Sequence, residues 1–179
     1  MTRHRLFVAL RPPAAVRTRL LSHMGGVAGA RWQDDEQLHC TLRFIGEVDR
    51  HAGEDIAAAL GGLRHPGIEA RLEGIGTFDR AGRTDMLWIG IAPREALKAL
   101  HDKIDRLLVG VGIPPDDRAY LPHITIARFP RRLAPPPDVA AAIAAPDRAP
   151  FRFTEVRLYE SLLGPDGAIY ETIARYPLS

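Results

Sequence analysis

The sequence predicts a fold of strands and helices in which two related halves face each other across a cleft. The first observation behind this prediction is a His-x-Thr motif between apolar residues, present at His39 and again at His123. The second is that each copy follows a similar strand–helix unit. The prolines after the two first strands, Pro12 and Pro93, are 81 residues apart, and the two histidines are 84 apart. A repeat on this scale predicts an internal duplication about a pseudo-twofold axis.

In the first half, an apolar run predicts a buried strand at residues 6–10, and helical spacing of apolar residues after Pro13 predicts a helix that Gly25 ends. An acidic loop at residues 34–36 leads to the strand that carries His39, which Gly46 is expected to end. A helix at residues 54–63 and a strand at residues 68–78 complete the unit.

The second half repeats this order. The predicted elements are a turn at 79–84, a strand at 86–91, a helix at 97–111, a polar loop at 114–120 and the strand that carries His123. An alanine-rich helix at 138–145 and strands at 151–160 and 168–176 follow.

The two motifs suit phosphate chemistry. Residues two apart in a strand share a face, so each histidine lies beside its threonine, while Cys40 and Leu42 face the opposite way. An imidazole beside a hydroxyl suits a phosphate oxygen. Two histidines on opposite sides of one phosphorus can act together as general base and general acid. One copy arises often by chance, so the prediction depends on the matched pair.

A metal site is the competing interpretation of the two histidines. Neither motif contains carboxylates or a cysteine set at metal-ligand spacing, which favours metal-free chemistry. The other histidines are expected at the surface: His4, His23, His51, His65 and His101.

The composition is that of an ordinary soluble domain, with 179 residues, 46% hydrophobic and 26% charged. No apolar run approaches the roughly 20 residues of a membrane span, and we expect no signal peptide. The single cysteine, Cys40, excludes an internal disulfide and fits a reducing cytoplasm. The net charge of +2 does not itself indicate a polyanionic partner, but Arg118, Arg128, Arg131 and Arg132 surround the second motif.

The order of these segments resembles the 2H phosphoesterases, and within them the RNA 2′,3′-cyclic phosphodiesterases, also called 2′-5′ RNA ligases. The matching segments cover nearly the whole chain: 6–10 with Pro12, 31–32, 38–48, 87–90, 122–128, 158–161, 170–171 and 176–178. The resemblance implies an α+β fold of two pseudo-symmetric lobes of antiparallel sheet, with outer helices and a central cleft. It implies one domain over residues 1–179.

The resemblance also implies hydrolysis of RNA 2′,3′-cyclic phosphate ends to a 2′-phosphate, without metal, ATP or another cofactor. It further implies reversible joining of RNA ends through a 2′-5′ bond. Carried over onto the motifs, His39 is the proton donor and His123 the proton acceptor, with Thr41 and Thr125 beside them. Cys40 stands where the family usually has an aliphatic residue, and we expect no functional cost because it faces away from the site.

Substrate contacts are expected from Arg128, Phe44 and Arg43, although simple alternation places Arg128 on the face opposite to His123. The expected partner is an RNA with a 2′,3′-cyclic phosphate end, either tRNA-like or a short oligonucleotide. We expect a cytoplasmic monomer with no membrane association.

Two other functions fit the same motifs. One is a different 2H activity, either a cyclic nucleotide-sugar phosphodiesterase or an RNA-trimming exonuclease. The other is a non-catalytic RNA-binding module that keeps the cleft. Loss of a histidine or threonine would indicate the latter, and both pairs are intact.

Overall fold

The computed structural model describes residues 2–132 and 135–179. Met1, Leu133 and Ala134, which belong to the predicted domain 1–179, lie outside the described residues. The first half contains β1 (His4–Leu10), α1 (Ala14–Ser22), β2 (Arg31–Trp32), β3 (Cys40–Val48) and α2 (Arg50–Leu60). The second half contains β4 (Ile68–Arg80), β5 (Arg83–Ala92), α3 (Arg94–Val109) and β6 (His123–Arg128). The chain closes with β7 (Phe151–Phe153), β8 (Glu155–Gly164) and β9 (Gly167–Pro177).

The strands of the described residues form one antiparallel sheet in the order β7-β4-β5-β6-β3-β1-β8-β9, and β2 pairs with β6. The two halves of this order have the same construction. The motif strands β6 and β3 lie at the centre, β5 and β1 lie next to them, and the long strands β4 and β8 lie outside. The predicted α+β fold of two pseudo-symmetric lobes is confirmed, while duplication of a single domain stays a prediction.

Buried side chains of the helices and strands form one continuous hydrophobic core. Helix α3 shows the principle, because its apolar residues recur every three or four positions and present one buried face: Leu97, Leu100, Ile104 and Leu108. Each such side chain contributes about 1.5–3 kcal/mol when fully buried. No helix within the described ranges is long and apolar enough to cross a membrane.

Some element boundaries differ from the prediction. Helix α2 begins at Arg50 rather than near residue 54, because the Asp49 side chain accepts a hydrogen bond from the Ala52 amide (2.9 Å) and caps it. Gly46 does not end β3. Its positive φ of 94° accommodates an irregular register, and the strand continues to Val48.

The segment predicted as one strand at 151–160 is two strands. β7 pairs with β4 at the edge of one lobe, and β8 pairs with β1 in the other. The break at Thr154 therefore lies where the chain passes between the lobes. The predicted helix at 138–145 is only a 3-10 turn at Val139–Ala142.

Candidate active site

The two motif strands meet at one backbone pair in the middle of the sheet, Cys40 with Ile124. Each of these residues is the central residue of a His-x-Thr motif. In an antiparallel register this pair places His39 opposite Thr125 and His123 opposite Thr41. The two histidines therefore occupy one diagonal, where side chains are typically about 7–8 Å apart, and the two threonines occupy the other. All four side chains line the same cavity.

Each imidazole is oriented by a backbone carbonyl two residues earlier in the chain. His39 Nδ1 donates to the Gln37 carbonyl, and His123 Nδ1 donates to the Leu121 carbonyl, both at 2.7 Å. A carbonyl can only accept, so Nδ1 carries the proton and Nε2 is left for chemistry in both rings. The Nε2 atom of His39 lies 3.0 Å from the Thr41 hydroxyl.

A β-bulge follows each motif and sets which later side chains reach the cleft. In β3 the register passes from Ala9–Thr41 to Val8–Arg43, so Leu42 is the extra residue. In β6 it passes from Trp88–Thr125 to Leu87–Ala127, so Ile126 is the extra residue. An extra residue shifts the side-chain alternation by one position. Phe44 and Arg128 therefore lie on the same face as the motifs, at matching positions.

The bulge corrects the expected orientation of Arg128. Simple alternation placed Arg128 opposite His123, but its exposed side chain lines the cleft with His39 and Thr41. Phe44 also lines the cleft, 37% exposed, with the Arg5 guanidinium 5.1 Å from its ring centre. Both side chains are where a substrate could contact them.

The bulge at Leu42 also turns Arg43 away from the cleft, so the expectation that Arg43 contacts the substrate is wrong. Arg43 is only 5% exposed and lies on the helix side of the sheet. Its guanidinium pairs with Asp105 of α3 at 2.6 Å and donates to the carbonyls of Phe44 and Pro114. Arg43 therefore holds α3 and the loop before His123 and does not face the substrate cleft.

Aromatic rings pack against both imidazoles, and sequence reasoning missed them. His39 contacts Phe7 (5.0 Å between ring centres) and the edge of Tyr170 (5.1 Å), and His123 contacts Phe78 (4.9 Å) and Trp88 (6.0 Å). The 81-residue offset that relates Pro12 to Pro93 also relates Phe7 to Trp88, so the repeat itself contained this information.

The site disfavours positive charge on either imidazole when no anion is bound. The pKa of His39 is lowered from 6.5 to about 4, mainly by burial and also by the positive charge of Arg128. The hydrogen bond to the Gln37 carbonyl acts in the opposite direction and raises the pKa. Burial also lowers the pKa of His123, again with a contribution from Arg128. An anion bound between them would raise both pKa values by stabilising the imidazolium forms.

The cleft has two arms that share His39, Thr41, Phe44 and Arg128. The first, which we call the His39 arm, has a volume of about 380 Å³ and is also lined by Arg5, Arg31, Trp32, Gln37, Leu163 and Tyr170. The second, the His123 arm, has a volume of about 430 Å³ and is also lined by Phe78, Met86, Asp116, Arg118, Tyr120, Leu121, His123 and Thr125. Both volumes lie in the range of small-ligand pockets, about 300–1,000 Å³.

The remaining arginines of the predicted cluster do not act together. Arg118 lines the His123 arm but pairs with Asp116 at 3.1 Å. Arg131 lies in a separate recess beside the β4–β5 turn, where its carbonyl accepts from Arg83, and Arg132 is exposed outside both arms.

Two further side chains complete the comparison with the prediction. Cys40 is fully buried and faces away from the cleft as expected, and burial raises the pKa of its thiol to about 11.

His101 was expected at the surface, but its side chain is 4% exposed and stacks on Tyr120 with ring centres 4.5 Å apart. Tyr120 donates to the Thr41 carbonyl, so His101 supports the loop before the second motif.

No group of three or more His, Cys, Asp or Glu residues within residues 2–132 and 135–179 is arranged to hold a metal ion. Metal-independent chemistry stays a prediction that only an assay can test.

The model of the 2′-5′ RNA ligase superfamily matches residues 10–165. A Thermus thermophilus protein named RNA 2′,3′-cyclic phosphodiesterase is 33% identical over 97% of this chain and 90% of its own. A Methanocaldococcus jannaschii protein of the same name is 30% identical over 96% and 99%. The crystal structure of Escherichia coli LigT complexed with 3′-AMP superposes with a TM-score of 0.81, at 25% identity over 99% of both chains. These matches confirm the resemblance inferred from the two motifs and the order of the segments around them.

Acid sensitivity tests the environment of His39. The folded-state pKa of His39, about 4, lies below its unfolded value of 6.5, so the unfolded chain takes up a proton that the folded chain resists. The neutral imidazole therefore imposes no penalty above pH 6.5, and folding stability is lost as the pH falls from 6.5 towards 4. The free energy of unfolding should therefore fall less between pH 6.5 and 4 in His39→Gln than in the original chain, by up to about 3 kcal/mol. Urea unfolding at several pH values in this range measures the difference.

His51→Gln is the matched control, because the His51 side chain is 95% exposed. This control should keep the acid sensitivity of the original chain. An unchanged pH dependence in His39→Gln would show that His39 is not held in its neutral form.

Proposed function

We propose that this chain, which belongs to the 2′-5′ RNA ligase superfamily, hydrolyses RNA 2′,3′-cyclic phosphate ends to 2′-phosphates by two-histidine acid–base catalysis. The observation that carries the proposal is the pair of imidazoles held by carbonyls on one diagonal of the sheet, with a threonine on each side. The names of the relatives support the substrate class, and the intact motifs support catalysis over a binding-only role.

The proposed reaction is an in-line displacement at phosphorus. His123 Nε2 takes a proton from a water molecule as its oxygen forms a bond to phosphorus. The bond from phosphorus to the 3′ oxygen breaks, and His39 Nε2 gives its proton to that oxygen. The products are a 2′-phosphate and a 3′ hydroxyl, and solvent exchange returns the two histidines to their starting protonation states.

The other cleft side chains stabilise charge on the phosphate. The Thr41 and Thr125 hydroxyls lie on the opposite diagonal and suit the non-bridging oxygens, and Arg128 supplies a positive charge between the motifs. In the empty cleft the Thr125 hydroxyl donates to the Met86 sulfur at 3.1 Å, a weak partner that a phosphate oxygen would replace.

The donor role of His39 requires the substrate's own charge. With a pKa of about 4 in the empty cleft, only about one molecule in a thousand carries the imidazolium at neutral pH. A bound phosphodiester offsets the charge of Arg128 and raises the pKa of His39, so the acid is formed when the substrate binds. Joining of RNA ends through a 2′-5′ bond is the same displacement, with the 5′ hydroxyl of a second RNA end in place of water. Its reverse expels that hydroxyl and re-forms the cyclic phosphate.

An assay with end-labelled RNA bearing a 2′,3′-cyclic phosphate tests this function. The 2′-phosphate product should form in the presence of a chelator and without nucleotide triphosphate. His39→Ala and His123→Ala should each lower the rate by about 10²- to 10⁴-fold. The double variant should be little worse than either single variant, because the two groups act as a unit.

His51→Ala, which changes an exposed histidine, is the control and should keep full activity. Activity that is lost on chelation and restored by a divalent ion would reject the metal-free mechanism. Full activity in either single variant of the motif histidines would reject the two-histidine mechanism.

The assignment of acid and base has its own test. A cyclic substrate with sulfur in the 3′ bridging position has a better leaving group, which departs without a proton. The factor by which His39→Ala lowers the rate should be at least about ten times smaller on this substrate than on the oxygen substrate, because a general acid contributes about 10²- to 10⁴-fold. His123→Ala should be as impaired as before. The opposite pattern would exchange the two roles.

A further inference from the structure

The two arms of the cleft differ in charge although the frame around them is nearly symmetric. Three arginines line the His39 arm, namely Arg5, Arg31 and Arg128, and no carboxylate among the described residues lines it. The His123 arm offers Arg118 as its additional arginine, and that guanidinium pairs with the Asp116 carboxylate of the same arm. The positive potential is therefore concentrated on one side of the motifs.

The backbone pairing brings two of these arginines together. Arg31 of β2 is the direct cross-strand partner of Arg128 of β6. Like charges opposite each other in a sheet are destabilising unless an anion lies between or beside them. No carboxylate in the part of the chain that the structure describes forms an ion pair with either guanidinium. The arrangement is one that an anionic ligand would stabilise.

Flat side chains accompany the positive charges. Trp32 and Tyr170 line the His39 arm, and Phe44 lies at its junction with the His123 arm. Aromatic faces beside arginines are the usual means by which proteins hold single-stranded RNA, with rings for the bases and guanidinium groups for the phosphates. The arginines and rings of the His39 arm therefore suit a nucleotide chain, which has both phosphates and bases, better than a lone phosphate.

We propose that the His39 arm binds the RNA chain on the 5′ side of the cyclic phosphate, with Arg31 contacting an internucleotide phosphate, and that the His123 arm admits the attacking water. This inference rests on the proposed hydrolysis. Ribose and the rest of the RNA are attached to the leaving 3′ oxygen, so an RNA in the His39 arm presents that oxygen to His39. The charge difference between the arms thus breaks the pseudo-symmetry and selects His39 as the acid.

The test compares a short oligonucleotide with a nucleoside, each bearing a 2′,3′-cyclic phosphate, on Arg31→Gln. The variant should lose about tenfold in kcat/KM for the oligonucleotide and much less for the nucleoside. Affinity for the oligonucleotide that carries the 2′-phosphate product, measured by fluorescence anisotropy between about 50 and 200 mM salt, should depend less on salt. The logarithmic slope should fall by about 0.7 for one lost phosphate contact on a single strand.

Two variants serve as controls. Arg94→Gln removes an exposed charge at the start of α3, outside both arms, and should leave both substrates and the salt slope unchanged. Arg118→Gln removes the arginine of the His123 arm and should keep the original preference between the two substrates.

Loss of the oligonucleotide preference in Arg118→Gln instead of Arg31→Gln would overturn the proposal by placing the RNA in the other arm. An unchanged preference and salt slope in Arg31→Gln would overturn it as well. The anisotropy measurement does not need turnover. If the original chain hydrolysed neither substrate, the proposed function would fail, while the anisotropy result would still decide whether Arg31 contacts RNA.

Discussion

The backbone pair between Cys40 and Ile124 is the constraint on which the rest of the site depends. Because this pair joins the central residues of both His-x-Thr motifs, it places two imidazoles and two hydroxyls on one face of the sheet around a local twofold axis. The buried Cys40 and Ile124 side chains tie the same strands to the core on the other face. The geometry of the candidate site is thus a direct consequence of strand register, and each histidine is then oriented by a backbone carbonyl two residues earlier in the chain.

The symmetric frame carries asymmetric side chains. The two β-bulges deliver Phe44 in one half and Arg128 in the other to matching positions, so one position supplies a ring and the other a charge. Burial of the imidazoles and the charge of Arg128 lower the pKa values of both histidines, so the empty cleft disfavours imidazolium and favours an anion. A bound anionic substrate would therefore complete the electrostatics of the site, and in the binding mode proposed above the arginines of the His39 arm decide which way the substrate lies.

Much of this arrangement could be predicted from the sequence. Period-two alternation and the 84-residue offset were enough to bring His39, Thr41, His123 and Thr125 to one cleft. Alternation fails one residue later, because a bulge is a register difference between two strands and neither strand records it alone. That failure explains the expectations for both Arg43 and Arg128. Burial of His101 was predictable, because it lies four residues after Leu97 and three before Ile104 on the buried face of α3. Its stacking on Tyr120 is a long-range contact that helical spacing does not indicate.

In the proposed reaction, water attacks phosphorus on the side of His123, and the 3′ oxygen departs on the opposite side, next to His39. The most direct measurement is the stereochemical course of hydrolysis of a single diastereomer of a nucleoside 2′,3′-cyclic phosphorothioate in ¹⁸O-labelled water. A single in-line displacement between two opposed histidines predicts inversion of configuration at phosphorus in the 2′-phosphorothioate product. Retention would require a second displacement or attack beside the leaving oxygen, and would contradict the two-histidine in-line mechanism.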